Sequence, residues 1–182
     1  MESLLEPLFR EWRIKMVQKH IRNQSIVADI GCGFDVLLLR RVSGRIKKGF
    51  GLDPRVKLPS EKNIEIKNGI FEKKLPFKDN ELDHITALAV LEHLDYPEEM
   101  MKDAKRCLKK GGTLIVTTPA PHAHNILDLF GKIGFVSREL FEEHKTYLSA
   151  KDLKKILEEI GYSKVTVYPF ELGYNTCAVA EK

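Results

Sequence analysis

At 182 residues, with 43% hydrophobic and 31% charged side chains, the chain can bury a sizeable core in one domain. Its net charge of +4 is spread along the sequence, unlike the clustered basic excess of a dedicated nucleic-acid binder. No apolar run approaches the ~20 residues of a membrane span, and Met1-Glu2-Ser3-Leu4 lacks the charged and apolar regions of a signal peptide.

Residues 1–24 hold a first helical segment. Positions 4–21 read as an amphipathic helix with Leu5, Leu8, Phe9, Trp12 and Met16 on one face. It is expected to cover a sheet edge, or to act as a lid with Arg10 or Arg13 reaching inward. Next comes Ile26-Val27-Ala28-Asp29-Ile30-Gly31-Cys32-Gly33, a short apolar run ending in an acid and a glycine-rich turn. Helical text follows from Val36 to Val42. This is the grammar of a strand, a tight turn and a helix whose start faces a ligand. A dinucleotide fingerprint needs a third glycine at the sixth place, where Val36 stands. Asp29 would repel a pyrophosphate but can hold an ammonium group, directly or through water. Asp29-Ile30-Gly31-Cys32-Gly33 resembles the first motif of class I methyltransferases that use S-adenosylmethionine. The resemblance implies that Asp29, Gly31, Cys32 and Gly33 line the cofactor.

Lys48 to Leu52 reads as a second strand ending at Asp53-Pro54, with Asp53 twenty residues past Gly33. A carboxylate at that strand end is placed to accept both hydroxyls of an adenosine ribose. Pro54 stops the strand and is positioned to lie against the adenine. Ile64 to Lys67 is a third strand. The run Leu75-Pro76-Phe77, Asp83 and the strand Asp83 to Val90, followed by Leu91-Glu92-His93-Leu94, resembles the type 11, small-molecule subgroup of class I methyltransferases. By that resemblance the Leu88 carbonyl, with Ala89 beside it, meets the methionine ammonium, and backbone at Ile70-Phe71 holds the adenine edge. The subgroup's adenine-binding aspartate is missing from Asn68-Gly69-Ile70-Phe71, which leaves Asn68 or backbone alone for that task. Glu92 and His93 read as a structural turn rather than as chemistry.

Pro97 to Lys110 is expected to be a helix stopped by Gly111, burying Met101, Ala104 and Leu108. Thr113 to Thr118 is a fifth strand. Residues 119–148 form an insertion or cover in which the apolar stretch Ile126–Val136 makes a wall and His122, His124 or His144 supplies polar reach toward the acceptor, as the catalytic general base where that acceptor is a hydroxyl. Ser149-Ala150-Lys151-Asp152 is a capping box opening a helix with Leu153, Ile156, Leu157 and Ile160 as its stripe. Lys164 to Phe170 and Tyr174 to Ala180 are strands joined by three residues, too few for a parallel crossover, so they must be antiparallel. Cys32, Cys107 and Cys177 lack paired spacing and read as reduced thiols of a cytoplasmic protein.

The expected fold is therefore α/β: a Rossmann-like, mostly parallel seven-stranded sheet flanked by helices, with a closing antiparallel hairpin, in one domain spanning 1–182. The expected activity is S-adenosylmethionine-dependent methyl transfer to a small-molecule, saccharide or lipid-linked acceptor. No metal is expected, nor DNA as a partner. Leu88-Ala89-Val90-Leu91 is not the Asn/Asp-Pro-Pro-aromatic run of base-amine methylation. Two alternatives stand beside this reading. One is a non-catalytic S-adenosylmethionine-binding regulator, prompted by Asp35 where many relatives carry a glycine. The other is an RNA methyltransferase, prompted by the basic charge.

Overall fold

The structure is a computed structural model that describes residues 6–121 and 148–182. Its strands are β1 (Ile26–Ile30), β2 (Lys48–Leu52), β3 (Ile64–Lys67), β4 (Leu82–Leu88), β5 (Leu108–Pro119), β6 (Ser163–Phe170) and β7 (Asn175–Glu181). They form one seven-stranded sheet in the order β3-β2-β1-β4-β5-β7-β6. The first five run parallel, and β7 lies antiparallel between β5 and β6. The link Glu171–Gly173 is a three-residue turn, which leaves β6 and β7 only the hairpin arrangement.

Side chains alternate across the strands and so build a core on each face. On one face Val27, Ile115 and Cys177 meet Ile14 and Val17 of helix α1 (Glu6–Gln18) and Leu38 and Leu39 of helix α2 (Leu37–Val42). On the other, Ala28, Ile85, Leu114 and Ala178 meet Met100 and Met101 of α3 (Pro97–Cys107) and Leu153 and Leu157 of α4 (Ala150–Glu159). The α4 cap forms as the sequence implies: Ser149 Oγ accepts from the Asp152 N–H at 3.1 Å, a contact worth about 1 kcal/mol. His84, inside β4, accepts the Arg22 N–H at 3.0 Å through Nε2 and meets Thr113 Oγ1 at 2.7 Å. Burial holds it down to about 4, so it is a neutral structural histidine.

Three local expectations are corrected. Helix α1 buries Ile14 and Val17, with Ile21 just beyond it, whereas Leu8 and Trp12 are 65% and 46% exposed; Leu5 lies outside the described residues. The helix is rolled so that Arg10, Ile14, Val17 and Ile21, at alternating four- and three-residue spacing, face inward. Helix α3 stops at Cys107, not Lys110. The carbonyls of Arg106 and Cys107 accept the N–H groups of Asn80 and Glu81 at 3.1 and 2.9 Å, and Leu108 already pairs with Leu82 in the sheet. Strand β4 ends at Leu88, because Ala89 turns into the left-handed region (φ 55°).

Candidate cofactor site

The chain leaves β1 for β2 on one side, while β4 occupies the other side of β1. That reversal of strand order opens a crevice at the C-terminal ends of β1, β2 and β4. The turn Gly31–Gly33 sits there. Gly31 adopts φ +70°, and a Cβ built on it would meet Val90 Cγ2 at 2.3 Å, so the turn can close on the end of β4 only as glycine. Its N–H donates to the Leu52 carbonyl at 2.7 Å, and the Cys32 N–H donates to the same oxygen at 3.3 Å. The turn is thereby tied to the end of β2.

Asp53 follows immediately and is 2% exposed. Its Oδ2 accepts the Gly33 N–H at 2.9 Å and its Oδ1 accepts the Arg55 N–H at 2.8 Å. The carboxylate is thus fixed at the crevice. Oδ2 keeps a second lone pair, and the second site on Oδ1 is taken only by the exposed Arg55 Nε at 3.4 Å, a long contact that a ribose hydroxyl can replace to complete the acceptor pair a diol needs. The Asp53 carbonyl accepts the Gly69 N–H at 3.3 Å, which ties the Ile70-Phe71 loop to the same edge. Phe71 is buried in the core and Ile70 is 59% exposed. Pro54 is exposed. Its carbonyl and that of Val56 accept the Asn68 amide at 2.7 and 3.2 Å, so Asn68 latches the turn after β2.

Asp29 is buried in the sheet beneath the turn, where Oδ1 accepts the Thr86 hydroxyl at 2.6 Å. Burial pushes this carboxyl up to about 7, against the Thr86 hydrogen bond; Asp53 adds to the rise and Arg10 opposes it. A nearby cation would offset the cost of charging this buried group, which fits an ammonium-bearing cofactor. The sign of the pH dependence follows. Between the unfolded value of 3.8 and about 7 the folded ligand-free protein holds the extra proton, so this group's stabilisation is present at low pH and lost as pH rises through 7. A cation needs the charged form, so its binding strengthens over the same rise. Titration calorimetry with S-adenosylmethionine should show affinity increasing up to about tenfold per pH unit below 7 and levelling off above it. Asp29→Asn should flatten that profile.

The expectation of a helix start aimed at the ligand is corrected in part. Helix α2 spans six residues, begins behind Val36 in the left-handed region, and has no side-chain cap; the nearby Gly33 N–H is already given to Asp53. What this edge presents is the Asp53 carboxylate rather than a helix dipole. Asp35, the unexpected acid, pairs with both terminal nitrogens of Arg10. Burial disfavours its charge, but Arg10 outweighs that and holds the carboxyl below its usual range. Arg10 Nη2 lies 3.3 Å from where a Cβ on Gly33 would stand, so the pair brings α1 against the glycine turn.

Asp29, Gly31, Cys32, Gly33, Asp53, Leu88 and Ala89 therefore share one edge of the sheet. His122, His124, His144, the stretch Ile126–Val136 and most of the 119–148 insertion lie outside the described residues. Glu92, which the sequence presents as a structural turn, and Glu171, which carries no sequence signal, are 1% and 2% exposed at this same end of the sheet. Their signal is visible only once β4, β5 and β7 are assembled. Among the described residues no helix is long and apolar enough to cross a membrane, and no three or more His, Cys, Asp or Glu are grouped as metal ligands would be.

A family profile described as "Methyltransferase domain" matches residues 1–167. Protein MJ1123 of Methanocaldococcus jannaschii is 32% identical over 134 residues, which cover 68% of this chain and 62% of that protein. The demethylmenaquinone methyltransferase of Bacillus pumilus is 25% identical, with 95% of this chain and 86% of that enzyme covered. The fold is shared with a Haloferax volcanii methyltransferase solved with its Trm112 activator, at a TM-score of 0.75 and 17% identity, with 97% and 90% of the two chains covered. The chain belongs to the class I methyltransferase family, whose cofactor is S-adenosylmethionine.

Proposed function

We propose that this chain transfers a methyl group from S-adenosylmethionine to a small-molecule, saccharide or lipid-linked acceptor. The observation that carries the reading is the Asp53 carboxylate, held 2.9 Å from the Gly33 N–H where the strand order reverses. Asp53 would hold the ribose, Asp29 the methionine ammonium, and the end of β4 at Leu88-Ala89 the methionine chain. The cofactor supplies an activated methyl and a neutral leaving group, so the protein's task is to position the acceptor in line in a dry pocket. A small-molecule acceptor is supported by the demethylmenaquinone methyltransferase relative, whose name states such a substrate, and by a charge spread over the chain rather than gathered in a stripe. The test is a screen of acceptors by mass spectrometry with isotope-labelled methyl donor. Small hydroxyl-, amine- or quinone-bearing compounds should gain one labelled methyl each. Label entering RNA alone, with binding that weakens steeply with salt, would replace this reading with the RNA alternative.

A further inference from the structure

Four buried side-chain atoms among the described residues have no hydrogen-bond partner: Arg13 Nε, Glu92 Oε2, Glu171 Oε1 and Asn175 Oδ1. Orphaned polar atoms are rare in folded interiors, and two of these belong to carboxylates. All four lie at one end of the sheet. Glu92 stands four residues past Leu88, just after β4, and bonds Thr118 near the end of β5. Asn175 opens β7 opposite Pro119 of β5, and its amide donates to the other oxygen of Glu171. The Arg13 guanidinium, on α1, is close enough to stabilise the charge of both Glu92 and Glu171. Glu171 itself is held by a turn with three successive left-handed residues, Glu171, Leu172 and Gly173 (φ 50°, 56° and 91°).

As pure architecture this is poor design, because a core gains nothing from carboxylate oxygens with no donor. As a binding site it is complementary to a definite chemistry. Three orphan acceptors and one orphan donor are gathered at this end of the sheet, a set that a ligand bringing N–H or O–H groups would satisfy. We propose that Glu92, Glu171 and Asn175 bind the methyl-accepting molecule and that this molecule presents a hydroxyl or an amine to them. This rests on the methyl-transfer reading, since the cluster adjoins the strand end given there to the methionine chain. Burial pushes Glu92 up to about 7, against its own backbone hydrogen bond, Arg13 and Thr118, and raises Glu171 as well. An arriving donor would offset that rise in both by stabilising the charged carboxylates.

The experiment uses the full chain saturated with S-adenosylhomocysteine, which allows binding without turnover. Ligand-observed NMR titrations with catechol, benzylamine and the donor-free 1,2-dimethoxybenzene compare the parent with Glu92→Gln and Glu171→Gln. Catechol or benzylamine should bind the parent at least tenfold tighter than dimethoxybenzene, and whichever binds identifies hydroxyl or amine. Each Gln variant should weaken that probe at least tenfold. Its S-adenosylhomocysteine affinity should stay within twofold, and it should unfold at the parent's temperature or above, because a buried charge has been removed. Equal binding of dimethoxybenzene, no binding of either donor-bearing probe, or undiminished binding by both variants would overturn the proposal while leaving cofactor binding intact. Failure of the parent to bind S-adenosylhomocysteine would instead overturn the methyl-transfer reading, and the acceptor site with it.

Discussion

Gly31→Ala should destabilise the protein by about 2–5 kcal/mol, combining backbone strain with overpacking. Gly31 has φ +70°, where an alanine is strained whatever space surrounds it. Its Cβ would also sit 2.3 Å from Val90 Cγ2, and Val90 is β-branched with little rotamer freedom to yield. The backbone cannot move away cheaply, because the Gly31 N–H is bonded to the Leu52 carbonyl at 2.7 Å. Equilibrium urea unfolding reads the loss directly. Adding Val90→Ala should recover the overpacking part and leave the φ cost. Gly44→Ala is the internal control: nothing lies within 4 Å of its Cβ, and its stability should change by less than about 0.5 kcal/mol. Equal stability of Gly31→Ala and parent would mean that the turn does not close on Val90 as described.

Asp53→Ala should weaken S-adenosylhomocysteine binding at least tenfold. Hydrogen bonds to a charged partner are worth about 1.5–3 kcal/mol each, and two reach a ribose diol before desolvation offsets them. At about 1.4 kcal/mol per decade, even half of one such pair exceeds tenfold. The substitution also strips the Gly33 N–H of its partner at 2.9 Å, so part of the loss comes from a less ordered turn. Asp53→Asn separates the two effects. It can still present an oxygen to Gly33 but offers a ribose one acceptor atom and no charge, so it should restore the melting temperature more than the affinity. Affinities equal to the parent in both variants would remove Asp53 from the site.

The parts of the molecule that follow from local spacing were legible in the sequence. Gly31, Gly33 and Asp53 announce a turn and a carboxylate at neighbouring strand ends, and the three-residue link Glu171–Gly173 dictates an antiparallel hairpin. The Ser149–Asp152 cap needs only four consecutive residues to be recognised. What escaped reading depends on partners distant in sequence. The roll of α1 is set by Arg10 reaching Asp35, 25 positions away, so that an ordinary hydrophobic periodicity pointed to Trp12 rather than Val17. The early end of α3 is imposed by Asn80 and Glu81 taking its last carbonyls. Glu92 looked like a turn residue because nothing in Leu91-Glu92-His93-Leu94 shows that Arg13 and Thr118 will converge on it. The strained Glu171–Leu172 pair carries no local signal either, since neither residue favours φ > 0.

Titration calorimetry of the full chain with S-adenosylhomocysteine and, separately, with a nicotinamide dinucleotide bears most directly on the cofactor site. At pH 8, where Asp29 is charged, S-adenosylhomocysteine should bind one-to-one, the dinucleotide should bind more weakly or not at all, and Asp53→Ala should reduce the first affinity at least tenfold. Tighter binding of the dinucleotide, or no heat with S-adenosylhomocysteine, would contradict the assignment of the Gly31–Gly33 turn and Asp53 as the S-adenosylmethionine site.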